Sequence, residues 1–213
     1  MKIARFEFSL FGINTYVVFD PSSKECAIID PGIISDEERQ AMENFVRSNG
    51  LHVTQLINTH LHIDHAIGNE WIRSNFSVGV SAHPDDLPLG ERMSQQASMF
   101  GIPLEIDDVS IDTELKDGDI IKIGNGELKV IHVPGHSQGS IALYDKADGF
   151  LISGDALFAG SIGRTDLPGG NHSQLLDSIR RNLLTLPDDT IVYPGHGPAT
   201  TIGKEKRSNP FLI

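Results

Sequence analysis

Over the first sixty positions, apolar residues alternate with polar ones or run in short blocks, a pattern that predicts strands over residues 3–8, 15–19 and 26–29. Asp20-Pro21-Ser22-Ser23 supplies a turn between the second and the third. A helix then begins. Ser35 is its cap, Glu38 completes a capping box three residues on, and Ala41, Met42, Phe45 and Val46 recur at helical spacing until Asn49-Gly50 ends it. Residues 55–58 read as a short buried strand that leads into a histidine-rich segment. Further on, the pattern predicts a helix over 67–74, a strand near 78–81, and an irregular stretch from 84 to 112 containing a short helix at 92–100. Strands follow at 120–123, 128–133, 140–144 and 150–153, with Asn125-Gly126 marking a tight hairpin between the first two. The last predicted helix covers 173–184, with Leu175, Leu176, Ile179, Leu183 and Leu184 on one stripe, and a final strand lies near 190–193.

Strands interleaved with helices imply a mixed α/β layer architecture. Glycine and proline are spread along the chain, so residues 1–213 are expected to form one domain. At coarse grain the two halves repeat: each runs through strands, a helix, a strand and a His-bearing loop. A chain of 213 residues is long enough to bury a core without help from a cofactor.

Composition narrows the function. Twenty-nine acidic against 17 basic residues give a net charge of −12, which disfavours nucleic-acid partners; the basic residues that do gather are Lys204, Lys206 and Arg207. Cys26 is the single cysteine, so an intrachain disulfide and a Cys-rich zinc site are both excluded. It sits in an apolar run and reads as a core residue. No apolar run reaches transmembrane length, and a cytoplasmic protein acting on a small molecule is the expectation, with oligomeric state open.

The chemistry is concentrated in Thr59-His60-Leu61-His62-Ile63-Asp64-His65, where imidazoles and a carboxylate crowd a loop after a strand. These are the donors that zinc, iron or manganese prefer. In an extended stretch His60 and His62 project to one side and can grip one ion, while the adjacent Asp64 and His65 diverge towards a second. Burying so many polar rings without a metal would cost about 1–3 kcal/mol for each unpartnered nitrogen. Three further donors follow strands and are flanked by glycine: His136 in Pro134-Gly135-His136-Ser137, Asp155 in Ser153-Gly154-Asp155, and His196 in Pro194-Gly195-His196-Gly197. His52, His132 and His172 read as ordinary polar positions, and Trp71 as core.

These elements, in this order and spacing, resemble the metallo-β-lactamase fold superfamily, and specifically its glyoxalase II-like (hydroxyacylglutathione hydrolase-like) short branch. Ile29-Asp30-Pro31-Gly32 matches the usual end of that family's early strand. The resemblance implies a four-layer αββα sandwich with the metal site at one edge of its two sheets. It also implies two divalent ions, zinc foremost with iron or manganese as alternatives. His60, His62 and His136 would bind the first and Asp64, His65 and His196 the second, with Asp155 bridging; Asp64 and Asp155 are thereby the candidate catalytic carboxylates. Asp30 is a candidate to orient a ligand, and His83 to line the cleft or support a ligand. The reaction implied is hydrolysis of a small acyl thioester by a metal-bridging hydroxide. Gly163-Arg164-Thr165-Asp166-Leu167-Pro168 and the segment around Lys204, Lys206 and Arg207 resemble the same branch, and Arg164 with those three is a candidate to hold the carboxylates of a thiol. The chain stops soon after the last ligand loop, where full-sized glyoxalase II carries a glutathione-binding extension, so glutathione use is open. Competing readings are an iron-dependent persulfide dioxygenase, which shares the Gly-Arg-Thr-Asp element, and a lactonase or other hydrolase of the fold. A nuclease and a non-catalytic metal module are weaker still.

Overall fold

The computed structural model describes residues 1–8, 11–104 and 106–213. Its first half runs through β1 (Lys2–Phe8), β2 (Ile13–Phe19), β3 (Glu25–Ile29), α1 (Asp36–Ser48), β4 (His52–Ile57), α2 (Ile63–Ala66), α3 (Asn69–Phe76), β5 (Val80–Ala82), α4 (Leu87–Gly90), α5 (Met93–Met99) and β6 (Thr113–Glu114). These strands form one sheet in sequence order, antiparallel from β1 to β3 and parallel from β3 to β6. The second half contributes β7 (Ile120–Ile123), β8 (Gly126–His132), β9 (Ile141–Asp145), β10 (Phe150–Gly154), the small ribbon β11 (Leu157–Phe158) and β12 (Ser161–Ile162), α6 (His172–Ser178), β13 (Ile191–Pro194), β14 (Thr200–Thr201) and α7 (Ile202–Ser208). Its main sheet has the order β14-β13-β10-β9-β8-β7. Each half of the coarse repeat therefore builds one six-stranded sheet.

Period-two side-chain alternation sorts the strands into layers. Cys26 and Ile28 of β3 join Val17, Leu56, Met42 and Ile72 in a cluster between the first sheet and its helices. Their neighbours Ala27 and Ile29 instead meet Ile57, Val130, Leu143 and Ile152 between the two sheets. On the far side Ile131, Leu151 and Val192 pack against Leu175, Ile179 and Leu183. Helix, sheet, sheet, helix is the four-layer αββα sandwich. Because the central strands are covered on both faces, β9 and β10 are buried throughout and read as near-continuous apolar runs. The α6 stripe supplies the fourth layer, each fully buried aliphatic side chain contributing about 1.5–3 kcal/mol.

Local chemistry sets the boundaries. Ser35 Oγ accepts from Glu38 N at 3.2 Å and Glu38 Oε2 accepts from Ser35 N at 3.0 Å, so the capping box is present. The helix expected over 67–74 runs over Asn69–Phe76, after a separate turn over Ile63–Ala66; at the junction Gly68 packs so closely on Pro31 and Ile33 that a Cβ would lie 2.5 Å from the Pro31 carbonyl. At the β7–β8 hairpin the corner is Gly124-Asn125, one residue earlier than expected: Ile123 pairs with Gly126, and Gly124 takes a φ of 57°. His52 opens β4 and does not lie in a connection. The helix over 173–184 starts at His172 under an Asn171 cap and widens into a π-helical turn over Ile179–Leu183. Nor is it the last helix. Helix α7 follows β14, held by the fully buried Glu205, whose carboxylate accepts from Thr200 Oγ1, Gly160 N and Asn209 Nδ2. Among the described residues, no helix is long and apolar enough to cross a membrane.

Cys26 is fully buried, and burial pushes its thiol up to about 12. Titration with a thiol reagent is expected to find no reactive thiol in native protein and one per chain in denaturant; native labelling within minutes would contradict this packing.

Candidate metal centre

Five strands end at one edge of the sandwich and hand their next residues to one cleft: β3 gives Asp30, β4 leads to the segment from Asn58 to His65, β8 leads to His136, β10 to Asp155 and β13 to His196. Glycine makes the convergence possible. A Cβ at Gly195 would strike Asp155 Oδ1 and the His65 ring, so only glycine lets the β13 end pass this close. Gly135, at a φ of 135°, lies against the Leu175 backbone and turns His136 back into the cleft.

Three imidazoles meet first. His136 Nε2 lies 3.1 Å from His60 Nε2 and 2.9 Å from His62 Nδ1, and all three rings are buried. Proton positions follow from the outer contacts. His136 Nδ1 faces the Arg164 carbonyl at 2.8 Å, so it carries the proton and leaves Nε2 a bare lone pair. Thr59 Oγ1 donates to Asp30 Oδ2 at 2.6 Å and so can only accept from His60 Nδ1 at 3.1 Å, which bares His60 Nε2 as well. Two bare lone pairs 3.1 Å apart do not hydrogen-bond to each other; a cation between them resolves the contact.

A second group stands beside the first. His65 Nε2 lies 3.3 Å from Asp155 Oδ1 and 3.9 Å from Asp64 Oδ2, while His196 Nε2 lies 3.2 Å from Asp64 Oδ2. The remaining oxygen, Asp155 Oδ2, is 3.6 Å from both His136 Nε2 and His196 Nε2, so Asp155 touches both groups. His62 Nε2, both ring nitrogens of His65 and Asp155 Oδ1 have no hydrogen-bond partner although they are buried. The donor atoms of His60, His62 and His136, and those of Asp64, His65 and His196, lie within 4.8 Å of one another in each set. The residues fit two divalent ions. Electrostatics differ between the two groups: in the first, burial, then the neighbouring rings, holds His60 well below the usual imidazole range and His62 at about 3, so both are neutral. Burial raises Asp155, but His65, His136 and His196 outweigh it and keep the carboxylate ionised. For His65 the desolvation that lowers it is overcome by Asp155, Asp30 and Asp64, which lift it well above its ordinary value.

Two further carboxylates hold this arrangement from behind. Asp30, at a φ of 52°, accepts from Thr59 N at 2.7 Å and from Thr59 Oγ1, and its Oδ2 lies 3.0 Å from His65 Nδ1. It thus orients His60 through Thr59 and sets its charge beside the His65 ring, as carboxylates behind metal-ligating imidazoles do. Asp86 carries no signal in the sequence. Nearly fully buried, it accepts from Leu61 N at 3.0 Å, Ser137 Oγ at 2.8 Å and Gly139 N at 2.6 Å, and so ties the His60–His62 loop to the His136 loop. Gln96 of α5 adds a second tie, accepting from Ile63 N at 3.0 Å and donating to the Leu61 carbonyl at 3.1 Å.

Residues 9–196 match the model of the Metallo-beta-lactamase superfamily. The chain belongs to this superfamily. It is 37% identical to a protein of Haemophilus influenzae named hydroxyacylglutathione hydrolase GloC, across 100% of this chain and 98% of that one. Among solved structures, BLEG-1 B3 metallo-beta-lactamase superposes with a TM-score of 0.89 at 36% identity, each chain covered fully. TTHA1623 in a di-iron-bound form gives 0.85 at 36% identity, covering 98% of this chain and 100% of that one. The chain is accordingly a metal-dependent hydrolase of the metallo-beta-lactamase fold.

Of the other candidates, all but Arg164 fall outside the cleft of this superfamily member. His83 does not line the cleft; its ring stacks on His132 at 4.1 Å and 7°, and its Nδ1 accepts from Asp85 N. Parallel ring planes cannot both contain one ion, so His83, Asp85 and His132 form a stacked pair with a nearby carboxylate and not a third ligand set. Lys206 and Arg207 pair with Asp188, at 3.1 and 3.6 Å, and neither they nor Lys204 line the cleft. Arg164 does line it, with its guanidinium doubly bonded to Asp166 at 2.7 Å. Trp71 packs edge-on against Phe76 and on the first-sheet core.

Metal analysis of protein purified without chelator and reloaded is expected to find close to two equivalents per chain. Asp155→Ala should lower both that number and activity, while His83→Ala leaves both near wild type; equal effects from the two would mean that the site lies elsewhere. Asp86→Ala strands three buried donors, each worth about 1–3 kcal/mol, so a loss on the order of 3 kcal/mol is expected in denaturant unfolding. Its metal affinity should fall at the same time, and a variant as stable as the parent would remove Asp86 from the argument.

Proposed function

We propose that this hydrolase cleaves small acyl thioesters of the S-hydroxyacyl thiol type, with two zinc ions as its resident metals. The observation that carries the reading is the protonation chemistry of the cleft. Its described titratable residues are His62, Asp64, His136, Asp155 and His196, all candidate ligands, together with Arg164. Among the described residues of the cleft, no side chain beyond these is left to protonate a poor leaving group. A thiolate departs without such help, whereas an amine or an alkoxide does not. Two divalent ions bound there would supply Lewis acidity and a water acidified towards neutral pH. The chain's own part is to bind and orient. Asp30 and the Arg164 carbonyl fix the imidazole tautomers, and the paired groups around Asp155 hold the reacting ends within one cleft. The full-length similarity to the Haemophilus influenzae protein, named for hydrolysis of a hydroxyacyl thioester, supports the same class.

The test is to offer lactoylglutathione, simpler thioesters and glutathione persulfide to separately zinc-loaded and iron-loaded enzyme, following thiol release and oxygen uptake. Thiol release without oxygen uptake is expected. Oxygen uptake by the iron form, with no thiol released by either, would replace the hydrolase with a persulfide dioxygenase.

A further inference from the structure

The walls of the cleft differ in character from its floor. Around the ligands the lining is Phe11, Phe100, Phe158, Ile162 and Leu167, enclosing about 560 Å³. Phe11 is half exposed and stands edge-on to Phe100, ring centres 5.6 Å apart. The Phe11 backbone, at a φ of 59°, turns its carbonyl to accept from His196 Nδ1 at 3.1 Å, which holds this ring beside the metal ligands. Phe100 caps α5, the helix that Gln96 fastens to the His60–His62 loop, so both rings are indexed to the metal centre by hydrogen bonds. A second crevice opens from the first past Phe100 and Leu167, and Met99, 60% exposed, lines it together with Leu89 and Pro168. An aromatic and thioether wall left open to solvent beside a reactive centre is a place for an apolar ligand group.

Charge points the same way. A glutathione-like peptide arm brings two carboxylates, which proteins hold with guanidinium forks or clustered lysines. Within the two crevices the described cations are Arg164, whose fork is already filled by Asp166, and Arg92 on the exposed rim. One open guanidinium answers one carboxylate at most, in a chain whose net charge is −12.

We infer that the substrate is a thioester with an uncharged aryl or branched-alkyl arm, seated between Phe11 and Phe100 and extending towards Met99, and not one whose peptide thiol carries two carboxylates. This rests on the thioesterase reading. The overall reaction is ordinary hydrolysis: water adds its oxygen to the acyl carbon, the carbon–sulfur bond breaks, and the products are a carboxylate, a thiol and the released proton.

Three thioesters separate the possibilities for zinc-loaded enzyme: acetyl and phenylacetyl esters of N-acetylcysteamine, and lactoylglutathione. The phenylacetyl ester is expected to show a kcat/KM at least tenfold above either of the others. Phe11→Ala, an exposed position that does not threaten folding, and Phe100→Ala should each lower kcat/KM for that ester by about tenfold, chiefly through KM and by more than for the acetyl ester; Phe11→Leu should restore most of the loss. Calorimetry with a non-hydrolysable probe, S-phenacyl-N-acetylcysteamine, is run beside S-methylglutathione. Tighter binding of the phenacyl probe that weakens in Phe11→Ala supports the apolar seat even if no thioester is cleaved, in which case the thioesterase reading alone falls. Efficient cleavage with lactoylglutathione preferred and both phenylalanine variants inert would overturn this inference and leave the hydrolase standing. Absence of both cleavage and probe binding would sink the two together.

Discussion

The metal centre hangs on a carboxylate that touches neither group of converging lone pairs. Asp30 sits at the end of β3 in a left-handed backbone conformation that costs a non-glycine residue about 1–3 kcal/mol, though aspartate tolerates it better than most. The cost is offset by what the turn achieves. One oxygen takes the Thr59 amide, the other lies within reach of both Thr59 Oγ1 and the His65 ring, and the backbone carbonyl accepts from Thr15 Oγ1 at 2.7 Å. Three strands and the surroundings of two candidate ligands meet at this one residue. If Asp30 relaxed to an ordinary β conformation its carboxylate would swing away, and the tautomer of His60 would lose its definition.

This fixing matters because the centre is held together against its own electrostatics. Imidazoles packed 3–4 Å apart and shielded from water disfavour one another's protonated forms, and each carboxylate carries a desolvation penalty of its own. The fold answers with geometry. Asp86 ties the two ligand loops together from behind and Gln96 fastens the first of them to α5, so the cluster is held as a preformed cage. Folding and metal uptake are thus coupled through the same hydrogen bonds.

Much of this was legible along the chain, for identifiable reasons. Strand alternation survives in β1 and β8 because one face of each is less covered, and the Ser35–Glu38 box is a local signal read within four residues. The ligands were legible because their chemistry is rare and their spacing short. Asp86 was not: its partners lie 25, 51 and 53 residues away, and beside the exposed Asp85 it looks like half of a solvated acidic pair. Helix α7 was hidden because it is short and polar, and its anchor is a buried glutamate with no apolar stripe around it. Phe11 and Phe100 resemble core residues in any one-dimensional pattern; only the fold shows that they face the cleft. The lysines near the end of the chain drew attention through charge alone, and Asp188 claims two of the three basic residues there.

The join between the sheets at the ligand edge has a consequence in time. Asn14 N donates to the Gly195 carbonyl at 2.7 Å, its side chain reaches the carbonyls of Pro194 and Gly197, and Ile13 bridges to His196. Residues near the start of the chain thus hold the last donor of the cage in place, with every other donor contributed between them. During synthesis the first sheet has all its strands once residue 114 has emerged, yet the cage cannot close until residue 196 does. For that interval the nascent first half carries His60, His62, Asp64 and His65 without the other three donors of the cage.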